Sequence, residues 1–352
     1  LIRQGKVVMI ADQKLSCIII RPFSETLMKT AIRPSAICLL LLLFAAGCAT
    51  TRESGDTAEM PEEPTPATLP HEMVILGADG AAATWDTVVA RASAADIIVL
   101  AEQHDDPLAH RFQAALTGAL VAKGKVAVCM EMFERDEQPL VDAYLAGEIA
   151  QKTLVDVTDS KDWGAKGKWD EFYQPIVDAA KAGASPVIAA NAPRRFVRIA
   201  RLEGFEGLAA FAGAYPAQFV VPAPIDEAAY FERFKATMSH HSAPPAKGTK
   251  AEAHAMPAMT DEQFEAIFRA QQVWDATMAD SVINAWRVHG KAMLMVGQFH
   301  TDHDGGLLLR MKAAAPEAKY LTISLDKAEA ATLAEEDKGR ADFVVYRPVA
   351  EK

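Results

Sequence analysis

Ile97-Ile-Val-Leu-Ala-Glu-Gln-His-Asp-Asp-Pro107 passes from a short apolar run into two kinds of titratable group and then into a helix start. The run Ile97–Leu100 has the length and side-chain types of a buried strand. Asp106 before Pro107 supplies a capping acid and a first-turn proline. Leu108, Phe112, Ala115, Leu116 and Leu120 then recur at helical spacing, and Gly124 ends the helix. A second stretch has the same build: Met293–Val296 leads into Gly297-Gln-Phe-His-Thr-Asp-His-Asp304. Carboxylates, amides and imidazoles just past a buried strand stand where open α/β sheets bind ligands.

Working outward, strands and helices alternate. Further strands are expected at Val126–Met130, Val187–Ala190, Ala292–Val296, Tyr320–Ser324 and Phe343–Tyr346. Helices are expected over Gln138–Leu145, Trp169–Lys181 and Arg194–Leu202, with stops at Gly147, Gly183 and Gly204. The longest helix starts at the capping box Thr260-Asp-Glu-Gln263 and stops at Gly290. Phe264, Phe268, Gln271, Trp274, Met278, Val282 and Trp286 mark one of its faces. The order predicts an α/β fold: one large domain over residues 72–350, with a largely parallel sheet flanked by helices on both faces. A Pro-rich stretch at 238–259, holding three His and three Met, interrupts this order. It is read as a solvated loop, with a lid or metal-binding tract as the other possibility.

The amino-terminal part has a different character. Residues 1–27 are expected to be an over-extended gene start. From Met28 the order is Lys29, Arg33, an apolar run Ile37–Phe44, then Ala45-Ala-Gly-Cys48. That is a secretory signal over 28–47, too short in its apolar run to span a bilayer. Cys48 resembles a bacterial lipoprotein processing site, which implies a diacylglycerol on its sulfur, and Ala49 after it favours the outer membrane. Residues 48–71, rich in Pro, Thr and Glu, read as a flexible tether. Residues 1–47 hold six Lys/Arg and two Asp/Glu, so 30 of 36 basic and 45 of 47 acidic side chains remain after them, a balance of −15. That balance, with no basic stripe, argues against nucleic acid as a partner. Past Cys48 the one cysteine is Cys129, inside an apolar run, so no disulfide framework is possible and Cys129 reads as a small core residue.

In a parallel sheet the carboxyl ends of the strands open on one side. Glu102, His104, Glu131 and His300 are therefore expected to converge, with Gln103, Asn191, Arg194, Gln298, Asp302 and His303 around them. Two carboxylates and two imidazoles suit a divalent metal or acid–base work on a water. In a hydrolase, Glu102 or Glu131 would be the general base and His300 a metal ligand or transition-state donor. Arg194 and Arg195 suit a carboxylate or propionate. No Gly-rich phosphate loop, Gly-x-Ser-x-Gly elbow or Cys-x-x-Cys-His occurs, which disfavours a nucleotide and a serine hydrolase and excludes covalent c-type haem.

Taken together, Val99-Leu-Ala-Glu-Gln-His-Asp-Asp-Pro107, Met130-Glu-Met-Phe-Glu-Arg135, Ala190-Asn-Ala-Pro-Arg194, Gln272-Val-Trp-Asp-Ala-Thr-Met-Ala279 and Val296-Gly-Gln-Phe-His300 resemble the ChaN-type haem-binding lipoproteins. Tiki-type metalloproteases and erythromycin-esterase-like hydrolases belong to the same wider group. The resemblance spans about residues 90–325. It implies an α/β fold and haem uptake at the cell envelope. It also implies a homodimer that holds haem between its subunits with a tyrosine on iron. Tyr173 is the candidate for that tyrosine, and Tyr230 the second. The chain departs from the family pattern at Ala101, where Gly is usual, and at Gln298-Phe299, where a small pair precedes the histidine. Three readings follow: an envelope haem-binding protein facing the periplasm, a metal-dependent hydrolase, or a scaffold lipoprotein whose polar cluster only satisfies strand ends.

Overall fold

The structure is a computed structural model, and it describes residues 73–241 and 259–350. Residues 28–72 and most of the 238–259 loop lie outside the described residues, and so do the side chains of its histidines. The strands are β1 (Val74–Gly77), β2 (Ile97–Glu102), β3 (Ala127–Glu134), β4 (Val187–Asn191), β5 (Ala292–Gly297), β6 (Tyr320–Glu329) and β7 (Phe343–Arg347). They form one sheet in the order β1-β7-β6-β2-β5-β3-β4. Every pairing is parallel except that of β1 with β7. The expected fold class is therefore the observed one. All described residues fall in one unit of the chain.

The helices are α1 (Trp85–Ala94), α2 (Pro107–Val121), α3 (Gln138–Leu145), α4 (Gln151–Val157), α5 (Trp169–Phe172), α6 (Gln174–Ala182), α7 (Arg194–Ala212), α8 (Ala228–His241), α9 (Asp261–His289) and α10 (Gly306–Ala314). Alternation along the strands decides what each helix covers. Ile98, Leu100, Val128 and Met130 face a core built with Phe112 and Leu116 of α2 and Ile176 of α6. Ile97, Val99, Ala127 and Cys129 face the opposite core, built with Met278 and Val282 of α9 and Met311 of α10. Cys129 is a buried free thiol there, pushed up to about 12 by burial. Each such aliphatic side chain taken fully out of water contributes ~1.5–3 kcal/mol.

Several elements differ in extent from expectation. β2 runs on through Glu102 and β3 through Glu134. Glu102 and Glu131 therefore lie within strands rather than beyond them, because one polar residue ends an apolar run without ending backbone pairing. The expected helix Trp169–Lys181 is two helices. Pro175, in the first turn of α6, has no N–H to carry α5 onward. Gly204 does not stop α7 but kinks it, at φ 75° and ψ −177°. The loop expected from residue 238 begins later, since α8 reaches His241. β1, α1, α4 and α8 were not expected. No helix among the described residues is long and apolar enough to cross a membrane.

Candidate functional site

The four strand ends singled out above belong to neighbouring strands, β2-β5-β3-β4, so their polar residues stand side by side. Strand parity then divides them. Glu102 shares the face of Ile98 and Leu100 and meets α2 and the α5–α6 junction. Glu131 shares the face of Ala127 and Cys129 and meets α9.

On the first face, Glu102 is buried and accepts three hydrogen bonds. His104 Nδ1 donates to Oε1 at 2.8 Å, Tyr173 Oη to Oε1 at 2.7 Å, and Gln113 Nε2 to Oε2 at 2.6 Å. Burial alone would raise the Glu102 carboxyl. The hydrogen bond from His104 and the electrostatic attraction of His110 and His104 outweigh it and hold the group below its ordinary value. His104 responds in the opposite direction: burial pulls it down, but Glu102 and then Glu131 raise it to about 9. His110 stacks on Phe172 with ring centroids 4.3 Å apart and lies 3.1 Å from the His104 carbonyl oxygen.

On the second face, Glu131 Oε2 accepts the backbone N–H of Gly297 at 2.7 Å. Its Oε1 lies 3.5 Å from His300 Nε2, and His300 Nδ1 donates to Asp275 Oδ1 at 2.5 Å. The amide of Gln271 also reaches His300. Despite burial, which opposes both shifts, Glu131 falls to about 2 and His300 rises to about 10. The attraction of His300 drives the first shift, and that of Asp275 and Glu131 the second. A bulge makes this reach possible. β3 pairs with β5 only as far as Met130, and its register to β4 slips between Met130 and Glu134. The slip frees Glu131 to turn toward Gly297 and His300.

Two glycines let the halves approach. A Cβ on Gly297 would sit 2.9 Å from His104 Nε2 and 3.7 Å from Glu131 Oε2. Gly164 has φ +76°, and a Cβ there would sit 2.1 Å from the His104 carbonyl oxygen. The His104 ring meets Trp163 edge-on at 5.4 Å, and Arg194 lies over the outer side of that indole at 5.6 Å.

The structure thus brings together Glu102, His104, Glu131 and His300. The surrounding residues disperse into other work. Asn191 donates to the Glu131 backbone oxygen at 3.0 Å, and its own oxygen accepts from Ala192 N. Gln298 is tied to Ser324 and Leu325 of β6. Asp302 is bound by Arg340 at 2.5 Å and raised by burial to about 6. Gln103 meets Asp326 at 3.4 Å. His303 has φ 52° and is lowered by its partial burial. Arg194 stands at the rim, 3.6 Å from Glu134. The pairing partners Gln113, His110, Gln271 and Asp275 were not anticipated in these roles, although Gln271 was placed on the buried face of α9.

Two ligand expectations change. The divalent-metal alternative finds no set of three or more ligating side chains suitably placed among the described residues. Their carboxylate partners raise His104 and His300, so a metal would have to displace a proton from each ring. Tyr173, the tyrosine expected on haem iron, is fully buried with its hydroxyl committed to Glu102. Tyr230 is 1% exposed behind Phe268 and Phe299. Neither phenol is presented to a surface-bound porphyrin.

No curated protein matches the chain. Among solved structures, ChaN of Campylobacter jejuni, described with cofacial haem bound, is similar at 20% identity and TM-score 0.56, over 79% of this chain and 98% of that one. The type III effector HopBA1 is similar at 12% identity and TM-score 0.41, over 75% and 92%. A mutant erythromycin esterase in its open conformation is similar at 13% identity and TM-score 0.38, over 76% and 79%. The first of these likenesses establishes the fold, and the other two carry no argument about activity. Residues 88–311 match the family model described as haem-binding uptake, Tiki superfamily, ChaN, and the chain belongs to that family.

Proposed function

We propose that this protein binds haem for uptake at the cell envelope. In this reading a lipid on Cys48 tethers it to the outer membrane facing the periplasm, and it works as a homodimer. The observation that carries the reading is the family match over residues 88–311. Membership makes haem the expected ligand, and the tyrosine on iron must then come from this chain's own six.

Five of the six are unsuitable as they stand. Tyr144, Tyr320 and Tyr346 spend their hydroxyls on Asp178, on the Met311 and Ala315 carbonyl oxygens, and on Asp337. Tyr173 and Tyr230 are buried, as above. Tyr215 remains: it is 45% exposed, beside Phe211 at 39%, and packs on Phe196 at 5.1 Å. An exposed phenol on an aromatic base combines a ligand atom with apolar surface for a ring. Tyr215 is therefore the iron ligand in this proposal.

The test is a haemin titration of the mature chain. A Soret shift with saturable stoichiometry is expected, and it is expected to be lost or displaced in Tyr215→Phe but retained in Tyr230→Phe. No spectral change with wild-type protein at micromolar haemin would overturn the reading.

A further inference from the structure

On α7, Arg194, Arg198 and Arg201 fall at i, i+4 and i+7, which puts them on one face of the helix. That face borders an open groove of about 570 Å³ against α9. Val197, Leu202, Ala270 and Trp274 supply its apolar lining. Leu202 is 65% exposed and carries the apolar surface of the groove out to solvent. Trp274 is half-buried and adds an aromatic surface.

Two of the three charges in this groove are uncommitted. Arg194 lies 3.6 Å from Glu134 and over the Trp163 ring at 5.6 Å. Arg198 and Arg201 are exposed, and their guanidinium groups have no acidic partner among the described residues. Elsewhere Arg135, Arg310, Arg340 and Arg347 are paired with aspartate or glutamate, and Arg269 and Arg287 bond backbone carbonyl oxygens. Three guanidinium groups spread over roughly 10 Å of helix above apolar side chains suit a broad apolar ligand that carries carboxylates along one edge. Arginine binds such carboxylates through two parallel N–H donors. The lining holds no imidazole, phenol, thiolate or thioether, so nothing in it can reach a metal at the ligand's centre.

We propose that the α7–α9 groove seats a porphyrin dicarboxylate, recognised by its ring and carboxylates and independently of iron, at a place separate from the one that puts haem iron on Tyr215. The chemical class of the occupant rests on the haem-binding reading above; the location and the indifference to iron rest on the groove itself. A flexible anionic lipid would satisfy the arginines, but an open groove with an indole wall favours a flat, rigid ring.

The test uses the mature chain with two probes, haemin followed by the Soret band and metal-free protoporphyrin followed by its fluorescence. Wild type is expected to bind both. R198E/R201E is expected to bind metal-free protoporphyrin at least tenfold more weakly, with an unchanged melting temperature as the folding control. Tyr215→Phe is expected to stay within twofold of wild type for that probe. The dimethyl ester, which lacks free carboxylates, is expected to bind at least tenfold more weakly than the diacid. Equal affinity of wild type and R198E/R201E for metal-free protoporphyrin would overturn the groove assignment. So would a haemin response in wild type with no binding of the metal-free probe; that result leaves the haem-binding reading standing. No response to either probe removes both. Binding of anionic phosphatidylglycerol vesicles, lost in R198E/R201E and unaccompanied by porphyrin binding, would give the groove to a lipid and overturn the proposal.

Discussion

At the carboxyl ends of β2 and β3, carboxylates and imidazolium ions are taken out of water and each meets an opposite charge. On the outer face of α7, Arg198 and Arg201 stand in water with no acid opposite them. The first region was the conspicuous one in the sequence, and its chemistry is satisfied internally. The second region attracts no notice as a motif, yet its charge is free for a ligand. Burial raises the cost of an unmet charge, so a buried cluster must be complete to persist. A surface cluster bears no such cost and can remain unpaired until a ligand arrives.

The largest expected effect tests the completeness of the buried region. Glu131→Ala leaves the His300 imidazolium with Asp275 alone in a water-poor site and deprives Gly297 N–H of its acceptor. A loss of about 3–5 kcal/mol in urea denaturation is expected. R198E/R201E, by contrast, should stay within about 0.5 kcal/mol of wild type. Equal stability of Glu131→Ala and wild type would erase the distinction between the regions. A smaller effect tests their packing. Gly297→Ala drives a methyl to 2.9 Å from the His104 ring and is expected to cost about 1–3 kcal/mol. No change in the melting temperature would mean that the two halves of the cluster are not in close contact.

The smallest effect is a pH dependence. His104 and His300 titrate at about 9 and about 10 in the folded chain, against an ordinary value of 6.5. Their stabilisation is whole below about pH 6.5 and disappears as pH rises through those folded values. Glu131 titrates at about 2 against an ordinary 4.5, so its contribution is whole above about pH 4.5 and is lost as pH falls toward 2. The cluster therefore stabilises most between about pH 4.5 and 6.5. The alkaline fall in melting temperature should be shallower in His300→Gln. An identical fall in that variant would show that His300 is not held as an imidazolium.

The sheet was readable because strands buried on both faces are continuous apolar runs, and all four site-bearing strands are of that kind. β1, an edge strand paired only with β7, has only half-buried ends and gave no such signal. The convergence of Glu102, His104, Glu131 and His300 followed from topology alone. Their division between two faces was also present in the strand parity, but the strands had been ended too early to apply it. The partners on helices were harder to see. Asp275 and Gln113 are fully buried polar residues on faces otherwise read as apolar, and a helical pattern marks such residues as exceptions without naming what they bind. Tyr173 was misplaced because a tyrosine on an amphipathic helix is usually amphipathic too. Here a buried carboxylate takes the hydroxyl inward.

β2 and β3 are never paired with each other; β5 lies between them and bonds to both. The strand that joins them is thus encoded long after both. As the chain emerges from the ribosome, β2 and β3 each wait with an open edge through the whole of the segment from α3 to α9. Closing that gap is a long-range event with a large loop-closure cost. Until it happens Glu131 lacks both Gly297 and His300. The polar cluster thus reports completion of the fold: the same strand that seals the sheet brings the last partners, so a nascent chain stalled before β5 would expose both unpaired edges to aggregation at once.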